Sequence, residues 1–107
     1  MKIHIPLLNI LTDEEIVFSR AVSICSVIIE MGLCRASIED VIDGLYNRFI
    51  GAGETIDRDH LQSTTQSAID YALTNGMIER RDTDTFSLSD SGTFYGTTWL
   101  KLVTQSA

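Results

Sequence analysis

The chain has 107 residues, and its 15 acidic and 8 basic side chains give a formal net charge of −7. This length suits one domain around one core and leaves no room for a separate catalytic domain. Apolar residues make up 44% and charged residues 21% of the chain, with only one proline, which excludes a disordered or low-complexity protein. We therefore expect a single domain over residues 1–107.

Residues 1–11 alternate weakly between apolar and polar positions, which predicts an edge strand or an extended arm. Pro6 is compatible with an edge strand, because such a strand need not donate every backbone hydrogen bond. The apolar run is interrupted by polar residues, and no small-residue cleavage site follows it. We therefore expect no signal peptide.

A capping-box pattern predicts that the first helix begins at Thr12, with Glu15 reaching back to its start. The helix is expected to run to about Met31 and to stop at Gly32. Its surface is apolar apart from a narrow stripe of serines with Arg20 and a glutamate. Such a pattern predicts a helix buried on most sides of a soluble domain, and it does not fit a membrane span.

A second helix is expected from Ser37, followed by a glycine-containing loop that could hold a short strand at Thr55–Ile56. The chain then becomes helical again. Asp57 and Ser63 are both suitable N-cap residues, so residues 57–75 form either one helix or two.

A β-hairpin follows. Gly76 predicts a left-handed helix stop, and residues 77–80 and 85–88 read as two strands joined by a polar turn. Ser89 is expected to cap a last helix that carries Trp99. The residues predicted to form the core are Ile24, Ile28, Ile69, Leu73 and Phe86.

The two cysteines, Cys25 and Cys34, have no CxxC spacing. We interpret both as reduced core thiols of a cytoplasmic protein; a disulfide would require the chain to fold back at Gly32. A metal site would need His4 or His60 to join them, and the spacing does not support one. We expect no metal and no cofactor.

The segment AIDYALTNGMIERRD…FSLSDSG resembles the last helix and wing of a winged helix-turn-helix domain, over roughly residues 63–92. The residues that carry this resemblance are Leu73, Gly76, Met77, Ile78, Phe86, Leu88 and Gly92. The fold that it implies is mainly α (α+β), with about four helices and a small β-hairpin wing.

The resemblance implies that the Ser63–Thr74 helix would enter the major groove of DNA. Gln66 would then be suited to read adenine, while Arg80 and Arg81 would meet phosphates from the wing. The residues of that helix expected to point outward are Thr64, Gln66, Ser67, Asp70, Tyr71 and Thr74.

Charge favours a different partner. The Ser63–Thr74 helix has no lysine or arginine, whereas DNA affinity depends mainly on cations that displace counterions. An acidic surface instead suits a basic protein, such as a nuclease or another nucleic-acid-binding effector. We therefore predict an inhibitor or immunity-type protein, with a winged-helix transcription regulator as the alternative. The predicted partner-binding residues are Asp57, Asp59, Asp70, Asp82 and Asp84.

An enzyme is not expected. His60 lies beside Asp57 and Asp59, but a lone histidine at a helix start is more often structural or solvated. The chain contains no nucleophile-elbow motif and no phosphate-binding glycine loop. Because the first helix is so apolar, we also expect a homodimer, formed through that helix or through the helix that contains Trp99.

Overall fold

The computed structural model describes residues 13–106, with side chains as far as Leu102, and this part of the chain forms four α-helices and one three-stranded antiparallel sheet. In chain order the elements are α1 (Asp13–Glu30), β1 (Ala36–Ser37), α2 (Ile38–Gly51), α3 (Arg58–Thr74), β2 (Ile78–Arg80), β3 (Thr85–Leu88) and α4 (Asp90–Ser106). The mainly α, α+β class with four helices and a hairpin is therefore confirmed. The arm at 1–11 and the cap at Thr12 lie outside the described residues.

Helix α1 is the centre of the fold and packs against α2, α3 and α4. Its buried residues are Ala21, Val22, Ile24, Cys25, Ser26, Val27 and Ile28. The helix ends where predicted, because Gly32 adopts a left-handed φ of 68°. Past that glycine, the Leu33 amide donates to the Ile28 carbonyl at 3.2 Å, which satisfies one of the last carbonyls of the helix.

The sheet has the strand order β1-β3-β2, with Ala36 opposite Phe86 and Ile78 opposite Leu88. The predicted strand at Thr55–Ile56 is wrong, since the third strand is β1. Ser37 is both the end of β1 and the N-cap of α2, where its hydroxyl accepts from the Asp40 amide at 3.1 Å. A two-residue strand that merges into a helix cap has no alternation for sequence analysis to detect.

Residues 58–74 form one helix, with Asp57 as its N-cap. Ser63 lies inside this helix, and its carbonyl accepts from the Ser67 hydroxyl at 3.4 Å. The helix ends before Gly76, whose φ of 71° confirms the predicted left-handed stop.

The core largely agrees with the prediction. Ile24, Ile28, Ile69 and Phe86 are all buried. Leu73 is only half-buried, because the inward stripe of α3 passes through Ala72 and leaves Leu73 at its margin.

Helix α4 packs most extensively on α1. The contact is close because Gly96 lies directly over the α1 backbone. A Cβ atom on Gly96 would come within 2.9 Å of the carbonyl carbon of Cys25 and 3.0 Å of the Ser26 nitrogen. One turn earlier, Gly92 approaches the Met77 carbonyl oxygen in the same way, so the two glycines form the inner edge of α4.

Both cysteines are free. Cys25 is buried in α1, and burial raises the pKa of its thiol to about 12. Cys34 is exposed, so the prediction of a core thiol is wrong at this position. Cys34 follows the turn at Gly32, where the chain has already left the core.

Candidate interaction surface

The outer face of α3 carries a shallow polar groove. Its volume is about 510 Å³, and it is lined by Asp59, Gln62, Ser63, Gln66 and Ser67. Residues at this spacing share one side of a helix, opposite the buried stripe. The groove has two amides, two hydroxyls and one carboxylate, and no cation lines it.

Two further predicted residues extend this face. Asp57 caps the helix at its N-terminal end, where its carboxylate accepts from the Asp59 amide at 3.4 Å. Asp70 lies one turn beyond Gln66 and accepts from its side-chain amide at 3.2 Å. The outer face of α3 therefore presents carboxylates at its start, in its groove and near its end.

Thr64 and Tyr71 do not join this face, although both were expected to point outward. Both are half-buried on the side of α3 that faces α1. The Thr64 hydroxyl donates to the carbonyls of Leu61 and His60, at 3.1 and 3.2 Å. The Tyr71 ring packs edge-on against Phe18, with the ring centroids 6.3 Å apart. Of the predicted base-reading residues, the groove holds Gln66 and Ser67.

The hairpin predicted to be a wing is formed by β2 and β3, and Asp82 stabilises its turn. This carboxylate accepts from the amides of Thr85 and Asp84, at 2.9 and 3.0 Å. Hydrogen bonds from Thr85 and Asp84 hold the pKa of Asp82 below its ordinary value, so it stays charged at neutral pH. Asp84 is exposed beside it.

The two arginines of this hairpin, Arg80 and Arg81, differ in their hydrogen-bond and ion-pair partners. Arg81 donates from Nε to the Ser87 hydroxyl at 2.7 Å and from Nη2 to Glu79 at 3.4 Å. Arg80 donates to the Thr83 carbonyl at 3.2 Å and forms no ion pair within the described residues.

Ion pairs within the domain occupy four of its arginines. Besides Arg81 with Glu79, these are Arg48 with Glu30 at 2.9 Å, Arg35 with Asp82 at 3.9 Å, and Arg58 with Asp43. By contrast, the three predicted carboxylates of α3 have no ion-pair partner among residues 13–102. The outer face of α3 therefore carries three carboxylates without a counter-charge in the described residues, set among neutral amides and hydroxyls.

The structure adds three residues that sequence analysis did not select. Gln62 and Ser63 line the groove, and the helical spacing from Asp59 to Gln66 would have indicated them. Arg35 reaches Asp82 from the segment before β1. No local pattern signals that contact, because its partner lies in a distant turn. No side-chain hydrogen bond or ion pair among the described residues links the α3 carboxylates to those of the wing.

Three observations on the described part of the chain bear on other kinds of site. His60 is exposed at the start of α3 and makes no side-chain hydrogen bond there to Asp57 or Asp59. Among these residues no three histidine, cysteine, aspartate or glutamate side chains are placed to hold a metal ion. No helix within 13–106 has the length and apolar character needed to cross a membrane.

Comparison with known proteins gives no relative from which a function could be transferred. No family model, no curated protein and no solved structure matches the chain.

Proposed function

We propose that this chain is a winged-helix-type domain that acts by binding a basic protein, as an inhibitor or immunity-type protein against a nuclease or another nucleic-acid-binding effector. The observation that carries the proposal is the charge of α3. Its exposed carboxylates Asp57, Asp59 and Asp70 have no ion-pair partner in the described part of the chain, while four arginines, Arg58 of α3 among them, pair with other carboxylates. A basic surface would supply the missing counter-charges.

The order of elements supports the winged-helix part of the proposal. A helix, a short strand, two further helices and a hairpin follow one another, and β1 pairs with β3 at the edge of the sheet. The sequence suggested the likeness over residues 63–92 only, and we take the order and pairing of the elements before that segment as further support for it.

A cytoplasmic location is part of the proposal. Cys34 is an exposed free thiol. An exposed thiol of this kind is best maintained in a reducing compartment.

DNA binding is the second candidate, because Gln66 and Ser67 lie in an open groove and Arg80 is exposed without an ion-pair partner in the described residues. In that case the cations would carry the affinity, and binding should fall steeply with salt. Replacing Arg80 and Arg81 with alanine should abolish a duplex gel shift, and Asp70→Asn should strengthen it.

The test begins with the purified chain immobilised as bait, followed by identification and purification of the protein that it retains. We expect the triple variant Asp57→Asn, Asp59→Asn, Asp70→Asn to associate about tenfold more slowly with that protein, because rim charges act mainly on the association rate. The difference should shrink as salt is raised to physiological strength and above.

A matched control removes the same number of charges from outside the outer face of α3, through Asp13→Asn, Glu14→Gln and Glu39→Gln. It should slow association much less than the α3 variant. If both variants slow association equally, the net charge of the chain accounts for the effect, and the proposal that α3 contacts the partner is rejected. A tight, sequence-specific duplex shift by the parent chain at physiological salt would replace the proposal with the DNA-binding alternative.

A further inference from the structure

Helix α4 carries a disproportionate share of the exposed apolar surface. Six large apolar side chains are exposed in the described part of the chain, and three of them lie on α4. Phe94 is 65% exposed, Leu102 is 59% exposed and Tyr95 is 38% exposed. The other three are dispersed over α1, α2 and the turn between them. A concentrated apolar patch of this kind marks an interaction surface more often than scattered residues do.

The patch has a regular spacing. Phe94, Thr98 and Leu102 follow one another at intervals of four residues, and all three are exposed. Such residues form one stripe along a helix. The stripe lies on the side opposite Gly92 and Gly96, which face the core. Helix α4 thus has an inner edge, where Gly92 approaches Met77 and Gly96 approaches α1, and an outer stripe with a large apolar residue at each end.

We infer that the outer stripe of α4 is the interface of a homodimer, in which two copies of the helix pack antiparallel with Thr98 at the twofold axis. In that arrangement Phe94 of each copy contacts Leu102 of the other, so the same contact forms twice, once on each side of the axis. The small Thr98 side chain at the axis lets the two helices approach closely.

Charge selects a second copy of this chain over a basic protein as the occupant. The chain has a net charge of −7, yet α4 carries only Asp90 and Lys101 among its charged residues. A basic partner would therefore find no carboxylate along the stripe, whereas a second copy brings no carboxylate of its own stripe against this one. Lys101 and Tyr95 lie three residues on either side of Thr98. Antiparallel pairing brings the ammonium of one copy towards the phenol ring of the other, a favourable cation–π contact.

The size of the patch sets the strength of the dimer. The exposed parts of Phe94, Tyr95 and Leu102 amount to roughly 300 Å² of side-chain surface per copy. The total buried by two copies is below the ~1,200 Å² of a standard stable interface. The dimer should therefore be reversible and should depend on concentration over the accessible range.

Sedimentation velocity of the full chain over about a hundredfold range of concentration tests the interface through mass action. We expect a monomer–dimer equilibrium in the parent chain. Phe94→Ser should weaken the dimer about tenfold or more, because it removes the most exposed apolar side chain of the patch from both copies at once. Ile50→Ser is the matched control, since Ile50 is an equally apolar side chain, 50% exposed on α2, and should leave the equilibrium unchanged.

A parent chain that stays monomeric throughout would overturn the inference, and so would an Ile50→Ser variant as disruptive as Phe94→Ser. Far-ultraviolet circular dichroism of each variant separates lost association from lost folding. If Phe94→Ser does not fold, Leu102→Ser tests the same contact from its other end, with the same expected weakening.

The orientation has its own test. A Thr98→Cys substitution in a Cys34→Ser background should form a disulfide-linked dimer on mild oxidation, because position 98 faces itself across the axis. Asn47→Cys in the same background places an exposed cysteine on α2 and should remain largely uncrosslinked. Ser91→Cys in the same background tests the orientation, because Ser91 is exposed on the same side of α4, two turns before Thr98. Antiparallel pairing separates its two copies by about 21 Å along the axis, beyond disulfide reach, whereas parallel pairing would bring them together. Efficient crosslinking at position 91 would therefore reject the antiparallel arrangement, and crosslinking at 47 with none at 98 would reject the interface.

Discussion

At the scale of single residues, the contact between α4 and α1 depends on a residue that has no side chain. Gly96 lets the α4 backbone rest on the α1 backbone, where a Cβ atom would meet Ile29 Cδ1 at 2.7 Å and the carbonyl carbon of Cys25 at 2.9 Å. A flexible methyl group can move aside, but the backbone of the central helix cannot. The position therefore excludes every residue larger than glycine unless the two helices separate.

We expect Gly96→Ala to lower the free energy of unfolding by about 1–3 kcal/mol, as overpacking of a tight contact does. The better helix propensity of alanine, about 1 kcal/mol, offsets only part of the loss. Gly51→Ala is the control, because its Cβ would meet nothing within 4 Å. Its melting temperature should be unchanged or slightly raised. If the two variants have the same melting temperature, Gly96 is not a point of close contact between α4 and α1.

At the scale of elements, α1 connects the fold because it touches each of the other three helices. Its buried side supplies much of the core, and Ile28 is only 1% exposed there. A polar contact adds to this packing. Arg48 of α2 donates to the Ser26 hydroxyl at 2.9 Å and to Glu30, while its guanidinium lies 5.1 Å from the centre of the Trp99 ring. One arginine thereby joins α1, α2 and α4.

Truncation of Ile28 to alanine should cost about 2–5 kcal/mol, because it removes a fully buried side chain and leaves a cavity among several elements. Ile50→Ala removes the same atoms from a side chain that is 50% exposed. That variant should stay within about 0.5 kcal/mol of the parent. Chemical denaturation of the three proteins measures both values. Equal loss in the two variants would contradict the central position of α1.

The elements that sequence analysis predicted correctly are those with local signals. Gly32 and Gly76 end helices through their own left-handed backbone conformation. Ser89 is the N-cap of α4, because its hydroxyl accepts a hydrogen bond from the Gly92 amide at 3.2 Å. The contacts that it missed are non-local. Strand β1 exists because β3 lies beside it, and Arg48 finds Glu30 and Trp99 only after three helices have assembled.

In the candidate site, too, the features with local signals could be predicted and the non-local contacts could not. Residues such as Asp59, Gln66 and Asp70 could be placed on an outer helix face from spacing alone. Their lack of cationic partners could not be predicted, because it depends on where every arginine ends up. Arg58 is the clearest example: it is adjacent to Asp57 and Asp59 in the sequence, yet it pairs with Asp43 on α2.

At the scale of the whole molecule, acidic charge exceeds basic charge by seven. The described part of the chain extends 49 × 28 × 28 Å, which is comparable with the screening length of about 30 Å at 0.01 M salt, so charges on opposite sides of the molecule repel one another at low salt. Self-repulsion therefore acts across the molecule and opposes the compact state. The four ion pairs are largely exposed, and pairs of that kind contribute little.

Added salt should consequently stabilise the protein. We expect the melting temperature to rise by several degrees between about 0.01 M and 1 M sodium chloride, as the screening length shrinks from about 30 Å to 3 Å. In the variant Asp13→Asn, Glu14→Gln, Glu39→Gln, the rise should be smaller, because part of the repulsion is already gone. Calorimetry of both proteins provides the comparison. A melting temperature that falls with salt would show that the ion pairs outweigh the repulsion.

The close packing of α4 on α1 also affects when the domain can fold during its synthesis. Among the described elements α1 leaves the ribosome first and α4 last, at roughly 5–20 residues per second. For several seconds the apolar side of α1 that later packs against α4 therefore stays exposed to solvent. The domain therefore completes its fold only after translation has passed α4, and the nascent chain is most vulnerable to aggregation during that interval.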